Sequence, residues 1–411
     1  MNRFTMIWFR ESDDMEKEFL LAMPIIEALE TRGYEAFFVG GAVRDRLIGR
    51  PIHDVDIATS AAPGDIQKVF PKTIDVGAEH GTIIVIHSGH PYEVTTFRTE
   101  SGYADHRRPD RVTFVTSLLE DMKRRDFKMN ALAMDKKGKI YDYFNGREDL
   151  QAGLISAVGN PAERFSEDAL RMLRALRFSS QLGFSVSEEA LYEIEKLAGL
   201  MKDISAERKL AEVDKLLQGK NVNAALRLLI RTGLHEYLPG FGTRSAGLHR
   251  FSGRSFEKLE ANERWALLLY DIRPDDPKDF LKHWKMSGSR IAEIAAVYQY
   301  LLARLAGSWT EELLYEAGGK TVISTEKICS EQPEWSAERD AADRYRQLPI
   351  FSRKDLAVNG NDLLRIAGKP PGSWVSALLG RIEAEVLAGR LQNDREEIGR
   401  WLENWSRKTE T

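Results

Sequence analysis

Two aspartates one residue apart, Asp54 and Asp56, sit in the stretch Ile52-His53-Asp54-Val55-Asp56-Ile57. Side chains on a strand alternate faces, so Asp54 and Asp56 share one face while Val55 and Ile57 turn to the core. Two carboxylates on one face repel unless a cation lies between them. Such oxygen ligands suit Mg²⁺, which takes one or two protein carboxylates and fills its shell with water and substrate phosphate. Just upstream, apolar Phe37-Phe38-Val39 reads as a buried strand. It runs into Gly40-Gly41 and a helical stretch from Ala42 to Leu47, closed by Gly49 and Pro51. A Gly-Gly turn at a helix start lets backbone N–H groups approach an anion closely. Alone, a glycine turn and a half-exposed strand are ordinary surface features. Together they form a phosphate cradle beside a metal-binding carboxylate pair, as in-line phosphoryl or nucleotidyl transfer requires.

Four further stretches carry candidate groups. Glu93, on the predicted strand Tyr92–Arg98, is either a third carboxylate of the site or a surface glutamate on an edge strand. Thr99–Arg111 is polar and basic and reads as a mobile loop. In Asp121–Asp135, Arg125 can approach a triphosphate or a base and Asn130 can hydrogen-bond locally. In Glu167–Phe178, Leu170, Leu173 and Leu176 give a helix an apolar stripe, and Asp168, Arg171, Arg174 and Arg177 give it a polar one. Asp168 and Arg171 are then neighbours on one face, forming either a surface ion pair or a reader of base edges. A carboxylate accepts from the exocyclic amine of cytosine or adenine, and a guanidinium donates to the adjacent ring acceptors. Such a pair admits C and A and rejects U and G.

The elements that must position these groups change character along the chain. Met15–Arg32 is a helix carrying Phe19, Leu20, Met23, Ile26 and Leu29. Pro63–Phe70 is a short helix, and Gly81–His87 and Tyr92–Arg98 form a hairpin. Lys139–Asn145 is a strand ending at Gly146. From about Leu150 helices dominate, opening at Asn160-Pro161 and including Ile204–Leu217, Val222–Thr232 and Arg264–Ile272. The 411 residues exceed one ordinary core, and 43% hydrophobic with 30% charged residues suits a globular chain. A net charge of −4 means that any nucleic-acid surface is a local patch. The single cysteine, Cys329, excludes an internal disulfide framework and reads as a buried small hydrophobe. No apolar run is long enough for a membrane span, and charges interrupt the first 14 residues, which read as a variable extension rather than a signal peptide. These features suit a cytoplasmic protein. Trp374, Trp401 and Trp405 are expected to anchor packing near the C-terminus.

The stretches GGAVRDRLIGRPIHDVDIATS, RRDFKMNALAMD and EDALRMLRALRF, in this order, resemble the bacterial-type CCA-adding tRNA nucleotidyltransferases. These belong to the polymerase-β-like nucleotidyltransferases, together with bacterial poly(A) polymerases. The resemblance implies an α+β fold: a small mixed-sheet head over 15–150, then an all-α neck (151–219), body (220–315) and tail (316–411), after the extension 1–14. It implies addition of CCA to tRNA 3′ ends from CTP and ATP with Mg²⁺, by a homodimer whose tail binds tRNA. Carried over by position, Asp54 and Asp56 are the metal ligands, with Glu93 as a further catalytic carboxylate. Gly41, Arg44 and Arg125 contact the nucleotide, Asp168 and Arg171 read the base, and Arg174 and Arg177 contact the triphosphate and the helix beside it. The basic loop at 101–111 resembles the loop linked to the switch from C to A addition. The family's Asp-Pro-Phe-Gly-Gly appears here as Asp142-Tyr143-Phe144-Asn145-Gly146, a departure at the head–neck connection. The alternatives are a poly(A) polymerase, a partial CC- or A-adding enzyme, and a non-catalytic RNA-binding protein.

Overall fold

The computed structural model describes residues 15–101, 111–367 and 370–409. The extension 1–14 and most of the basic loop lie outside the described residues. The chain divides between Ser252 and Gly253 into two compact units.

The first unit begins with α1 (Lys17–Thr31) and then builds a seven-stranded mixed sheet. Its strands are β1 (Ala36–Val39), β2 (Asp56–Thr59), β3 (Thr73–Gly77), β4 (Thr82–His87), β5 (His90–Thr96), β8 (Leu132–Met134) and β9 (Ile140–Asp142). Their order is β3-β4-β5-β2-β1-β8-β9. Only β2 and β5 run parallel among these neighbours. Two short helices, α2 (Gly41–Leu47) and α3 (Pro63–Val69), follow β1 and β2. A separate ribbon pairs β6 (Arg98–Ser101) with β7 (Arg111–Phe114), so the ends of the predicted loop are strands. After α4 (Leu118–Lys123) and the 3-10 turn Lys128–Asn130 the chain re-enters the sheet as β8.

Several boundaries differ from expectation for local reasons. The β4–β5 hairpin turns on two residues, Ser88 and Gly89, both with positive φ, so its second strand starts earlier, at His90. The buried face of α1 is Phe19, Ala22, Ile25, Ile26 and Leu29, whereas Leu20 points outward at 52% exposure. Gly146 does not end a strand but opens α5 (Gly146–Ala152). Asp142 accepts from the backbone N–H groups of Gly146 and Arg147 at 2.9 Å, which satisfies free donors at that helix start. After Leu150 helices dominate as expected, with a short strand pair among them. β10 (Leu154–Ile155) pairs in parallel with β11 (Ser185–Val186).

The helices that follow in this unit are α6 (Pro161–Glu167), α7 (Leu170–Leu182), α8 (Glu188–Leu197), α9 (Ala206–Leu217), α10 (Val222–Arg231) and α11 (Ser245–Phe251). Asn160 caps α6 by accepting from Ala162 N–H, with Pro161 at the first helical position. The turn after α9 approaches α7 closely at Gly219. A Cβ there would fall 2.1 Å from Ser180 Oγ and 2.6 Å from the Ser180 carbonyl atoms. Backbone cannot yield as a side chain can, so Gly219→Ala should lower stability by about 2–3 kcal/mol. Urea denaturation checks this, and an unchanged midpoint would contradict the packing described.

The second unit is helical: α12 (Ala261–Ile272), α13 (Pro277–His283), α14 (Gly288–Ala306), α15 (Glu311–Glu331), α16 (Ala341–Arg346), α17 (Gly360–Ala367), α18 (Ser373–Leu387) and α19 (Arg395–Thr409). Trp265 and Trp284 meet edge-to-face in its core at 5.2 Å. A second cluster gathers Leu314, Ile350, Leu378, Ile382 and Ile398, with Trp374 and Trp401 packed against it as expected. The Trp405 side chain lies outside the described residues. Cys329 is buried, and burial pushes its thiol up to about 12, consistent with an inert small hydrophobe. Helix α15 breaks at Gly318, three residues past the expected body–tail boundary.

Candidate active site

Strand register brings the sequence-predicted groups together. Val39 pairs with Asp56, so the first residue of β2 lies beside the turn made by Gly40 and Gly41. Gly40 N–H donates to the carbonyl of Leu132, fixing that turn against the start of β8. In the parallel β2–β5 pairing Ile57 lies opposite Val94. One residue earlier on each strand, Asp56 and Glu93 come side by side on one face. Asp54 precedes the strand and is exposed, yet Val55 and Ile57 are buried as the alternation requires. Asp54, Asp56 and Glu93 line one open cleft of about 860 Å³, joined by Arg174 from α7 and Lys215 from α9.

The electrostatics mark Asp56. Burial, then the charge of Glu93, with a smaller push from Asp54, raises its carboxyl to about 6, against the opposing pull of Arg125. Crowding of this kind is relieved by a divalent cation, so the donors fit a hard ion. Among the described residues no group of three or more His, Cys, Asp or Glu side chains forms a ready metal cage. The site therefore fits an ion held by two protein carboxylates and completed by ligand oxygens, with Glu93 beside it.

The cradle arginines are held by near neighbours in sequence and, for Arg44, also by Asn130, 86 residues away. Gly40 has φ 71° and ψ −130°, a region only glycine enters easily, and a Cβ there would stand 3.2 Å from Arg125 Nη1. Gly40→Ala should cost about 2 kcal/mol of stability and displace Arg125. Thermal melts with and without tripolyphosphate check both effects, and a wild-type profile would contradict them. Arg44 is buried, with Nη1 donating to Asn130 Oδ1 at 2.7 Å and Nε to Asp45 Oδ1 at 2.9 Å. Arg125 donates to Asp121 Oδ2 at 3.2 Å and to the Asn130 carbonyl at 3.4 Å.

Asp126, which sequence reasoning passed over, ties the cradle to α7. Arg174 donates to its Oδ2 through Nε at 2.8 Å and through Nη2 at 2.5 Å, and the Asn130 amide donates to its Oδ1 at 3.2 Å. Burial would raise this carboxyl, but Arg174, Arg171 and Asn130 hold it far below the usual carboxylate range. Glu212 similarly sits 3.2 Å from Arg177 and 3.8 Å from Arg174. One signal could have found the network. Asp126 and Asn130 flank the buried pair Phe127 and Met129, and polar groups held that close to a core must find partners.

The expected Asp168–Arg171 pair is not an ion pair along one helix. The helix predicted over Glu167–Phe178 is broken: Asp168 ends α6 with extended backbone, and α7 starts at Leu170. Asp168 Oδ1 instead accepts from Leu170 N–H at 3.1 Å, the short polar side chain bonding its own backbone as Asp does at helix starts. Its Oδ2 accepts from Arg208 Nη2 at 2.8 Å. Arg171 pairs with Glu167 at 2.8 Å and donates to the Arg124 carbonyl at 3.0 Å. Both groups are thus locked separately, on either side of the α6–α7 break.

Comparison with known proteins gives the family of the chain. The poly A polymerase head domain matches residues 36–156, which hold the sheet, the cradle and the three carboxylates. The CCA-adding enzyme of Geobacillus sp. (strain WCH70) is 46% identical over 393 residues, covering 94% of this chain and 97% of that one. The CCA-adding enzyme of Geobacillus kaustophilus is 48% identical, with the same coverage. The chain belongs to the family of CCA-adding enzymes. The crystal structure of the Bacillus stearothermophilus CCA-adding enzyme in complex with CTP superposes with a TM-score of 0.89 at 43% identity, covering 96% of this chain and 99% of that one. Residues 183–242 match the family described as the probable RNA and SrmB-binding site of polymerase A, and 256–402 match tRNA nucleotidyltransferase domain 2. The α+β head followed by helices, expected from sequence, is the family's fold.

Proposed function

We propose that this protein adds and repairs the 3′-terminal CCA of tRNA, using CTP and ATP and releasing pyrophosphate. One observation carries the chemistry: strand register sets Asp56 beside both the Gly40-Gly41 turn and Glu93, in a cleft that Arg174 also lines. Asp54 and Asp56 would hold Mg²⁺, and Glu93 keeps the local field negative. When bound, the ion supplies Lewis acidity at the reacting phosphate and lowers the pKa of the attacking hydroxyl. The chain's own groups do the rest. The Gly41 N–H at the start of α2, with Arg44 and Arg125, would receive the triphosphate. Arg174, oriented by Asp126, and Arg177, held by Glu212, add positive charge from α7. Asp168 and Arg171 read the base, one accepting from an exocyclic amine and the other donating to ring acceptors.

The second unit would grip the tRNA acceptor stem by shape and phosphate contacts, so binding weakens with salt. A cytoplasmic homodimer belongs to the same proposal. Among the described residues no helix is long and apolar enough to cross a membrane.

The test is pyrophosphate release. A tRNA lacking CCA, with CTP, ATP and Mg²⁺, should release three equivalents, and EDTA should stop it. No Mg²⁺-dependent release would favour an RNA-binding protein with an inactive head.

A further inference from the structure

Phe178, near the C-terminal end of α7, has no role in the chemistry described above. Its ring is buried at 6% exposure and meets Phe127 edge-on at 5.8 Å. Three guanidiniums lie over it. Arg177 is 3.8 Å from the ring centroid, Arg44 is 5.3 Å and Arg174 is 5.6 Å. Arg44 comes from α2, and the other two from α7 itself. Like charges gathered this closely repel, so something must hold them. Asp126 holds Arg174, Glu212 lies between Arg174 and Arg177, and Arg44 bonds Asp45 and the neutral Asn130 amide.

The ring differs from these partners in kind. A carboxylate holds a guanidinium by cancelling its charge. An aromatic face attracts it through the quadrupole and leaves the charge available to an anion. Planar guanidiniums also stack on rings where an ammonium cannot. Burial, with the neighbouring Arg174 and Arg44 charges, pushes Arg177 down to about 10 against the pull of Glu212, so it stays charged at neutral pH.

We propose that Phe178 is a positioning residue for triphosphate binding, its ring gathering Arg44, Arg174 and Arg177 into one anion-receptive cluster. The inference rests on the reading that a nucleoside triphosphate is the substrate, and it adds a residue that touches neither substrate nor metal.

The test reverses the quadrupole while keeping the ring shape. Phe178 is replaced by pentafluorophenylalanine in the full chain, and inorganic tripolyphosphate binding is measured by calorimetry. The Kd should rise about tenfold, and KM for CTP and ATP should rise with it while kcat holds. Phe178→Tyr, which keeps the electron-rich face, should bind as wild type does. Unchanged tripolyphosphate affinity in the fluorinated chain overturns the proposal, as does a wild-type chain with no affinity for tripolyphosphate. If the pentafluoro chain melts well below wild type, a mono- and difluoro series decides instead. Affinity falling stepwise with ring fluorination supports the role, and flat affinity overturns it. A wild-type chain that binds tripolyphosphate yet adds no nucleotide to tRNA would reject the proposed function and leave this test intact.

Discussion

Asp56→Asn should abolish nucleotide addition and, at the same time, make the metal-free protein more stable above pH 6. The loss of turnover follows from removing one of the two carboxylates proposed to hold the ion. It should exceed a hundredfold, about 2.7 kcal/mol in the barrier. The gain in stability follows from the raised carboxyl. Asp56 keeps its proton to about pH 6 in the folded chain, whereas the unfolded chain loses it near 3.8. Between those values the folded state binds more protons, so stability falls as pH rises through the window, and above pH 6 the full cost is present. Below 3.8 there is no cost. After allowance for the open cleft, the cost is on the order of 2 kcal/mol. The uncharged amide escapes it, so the melting temperature of Asp56→Asn should exceed wild type by about 3–6 °C at pH 7. At pH 3.5 the two should coincide. Saturating Mg²⁺ should narrow the gap at pH 7 by stabilising only the wild type. A variant less stable than wild type at pH 7, or one retaining a tenth of the activity, would contradict this account of the site.

The second large effect concerns base choice. Asp168→Ala should cost about ten- to a hundredfold in discrimination against UTP and GTP, the value of one well-formed base-edge contact. It should also destabilise the fold, because Arg208 loses the carboxylate that accepts from its Nη2, while its buried Nη1 already has no hydrogen-bond partner among the described residues. The two consequences separate in the double variant. Asp168→Ala with Arg208→Ala should recover most of the melting temperature and none of the selectivity. Asp168→Asn is the finer probe. Its amide oxygen can still accept from Arg208, while its N–H₂ replaces the oxygen that accepted from Leu170 N–H and can donate to the uracil carbonyl, so some stability is lost and UTP incorporation should rise relative to CTP. Competition assays with all four nucleotides read both effects. Selectivity restored in the double variant would mean that Asp168 acts only as a structural partner of Arg208.

What was legible in the sequence was local. Pro63 and Asn160-Pro161 start helices because their backbone chemistry works within one turn. The β4–β5 hairpin was readable from Ser88-Gly89, and the carboxylate face from strand alternation. The groups that lock the site were not readable, because their partners are remote. Arg44 meets Asn130 across 86 residues, Asp126 meets Arg174 across 48, and Asp168 meets Arg208 across 40. No periodicity within one segment encodes such pairings. The break at Asp168 shows the limit of periodicity itself. Leu170, Leu173 and Leu176 are buried as the pattern implies. Asp168, two residues before Leu170, lies outside the helix because its side chain competes for backbone N–H groups. The close approach at Gly219 likewise leaves no sign in the stretch around it, because Ser180 lies 39 residues away on α7.

One site, with Asp54 and Asp56 as its proposed metal ligands, should build CCA and stop. The deciding measurement is the products formed on three tRNA transcripts, one lacking CCA, one ending in C and one ending in CC. Each is incubated with Mg²⁺, CTP and ATP and resolved at single-nucleotide length. All three should converge on the same CCA end and grow no further. Long A tails, or growth from only some of the ends, would contradict the claim.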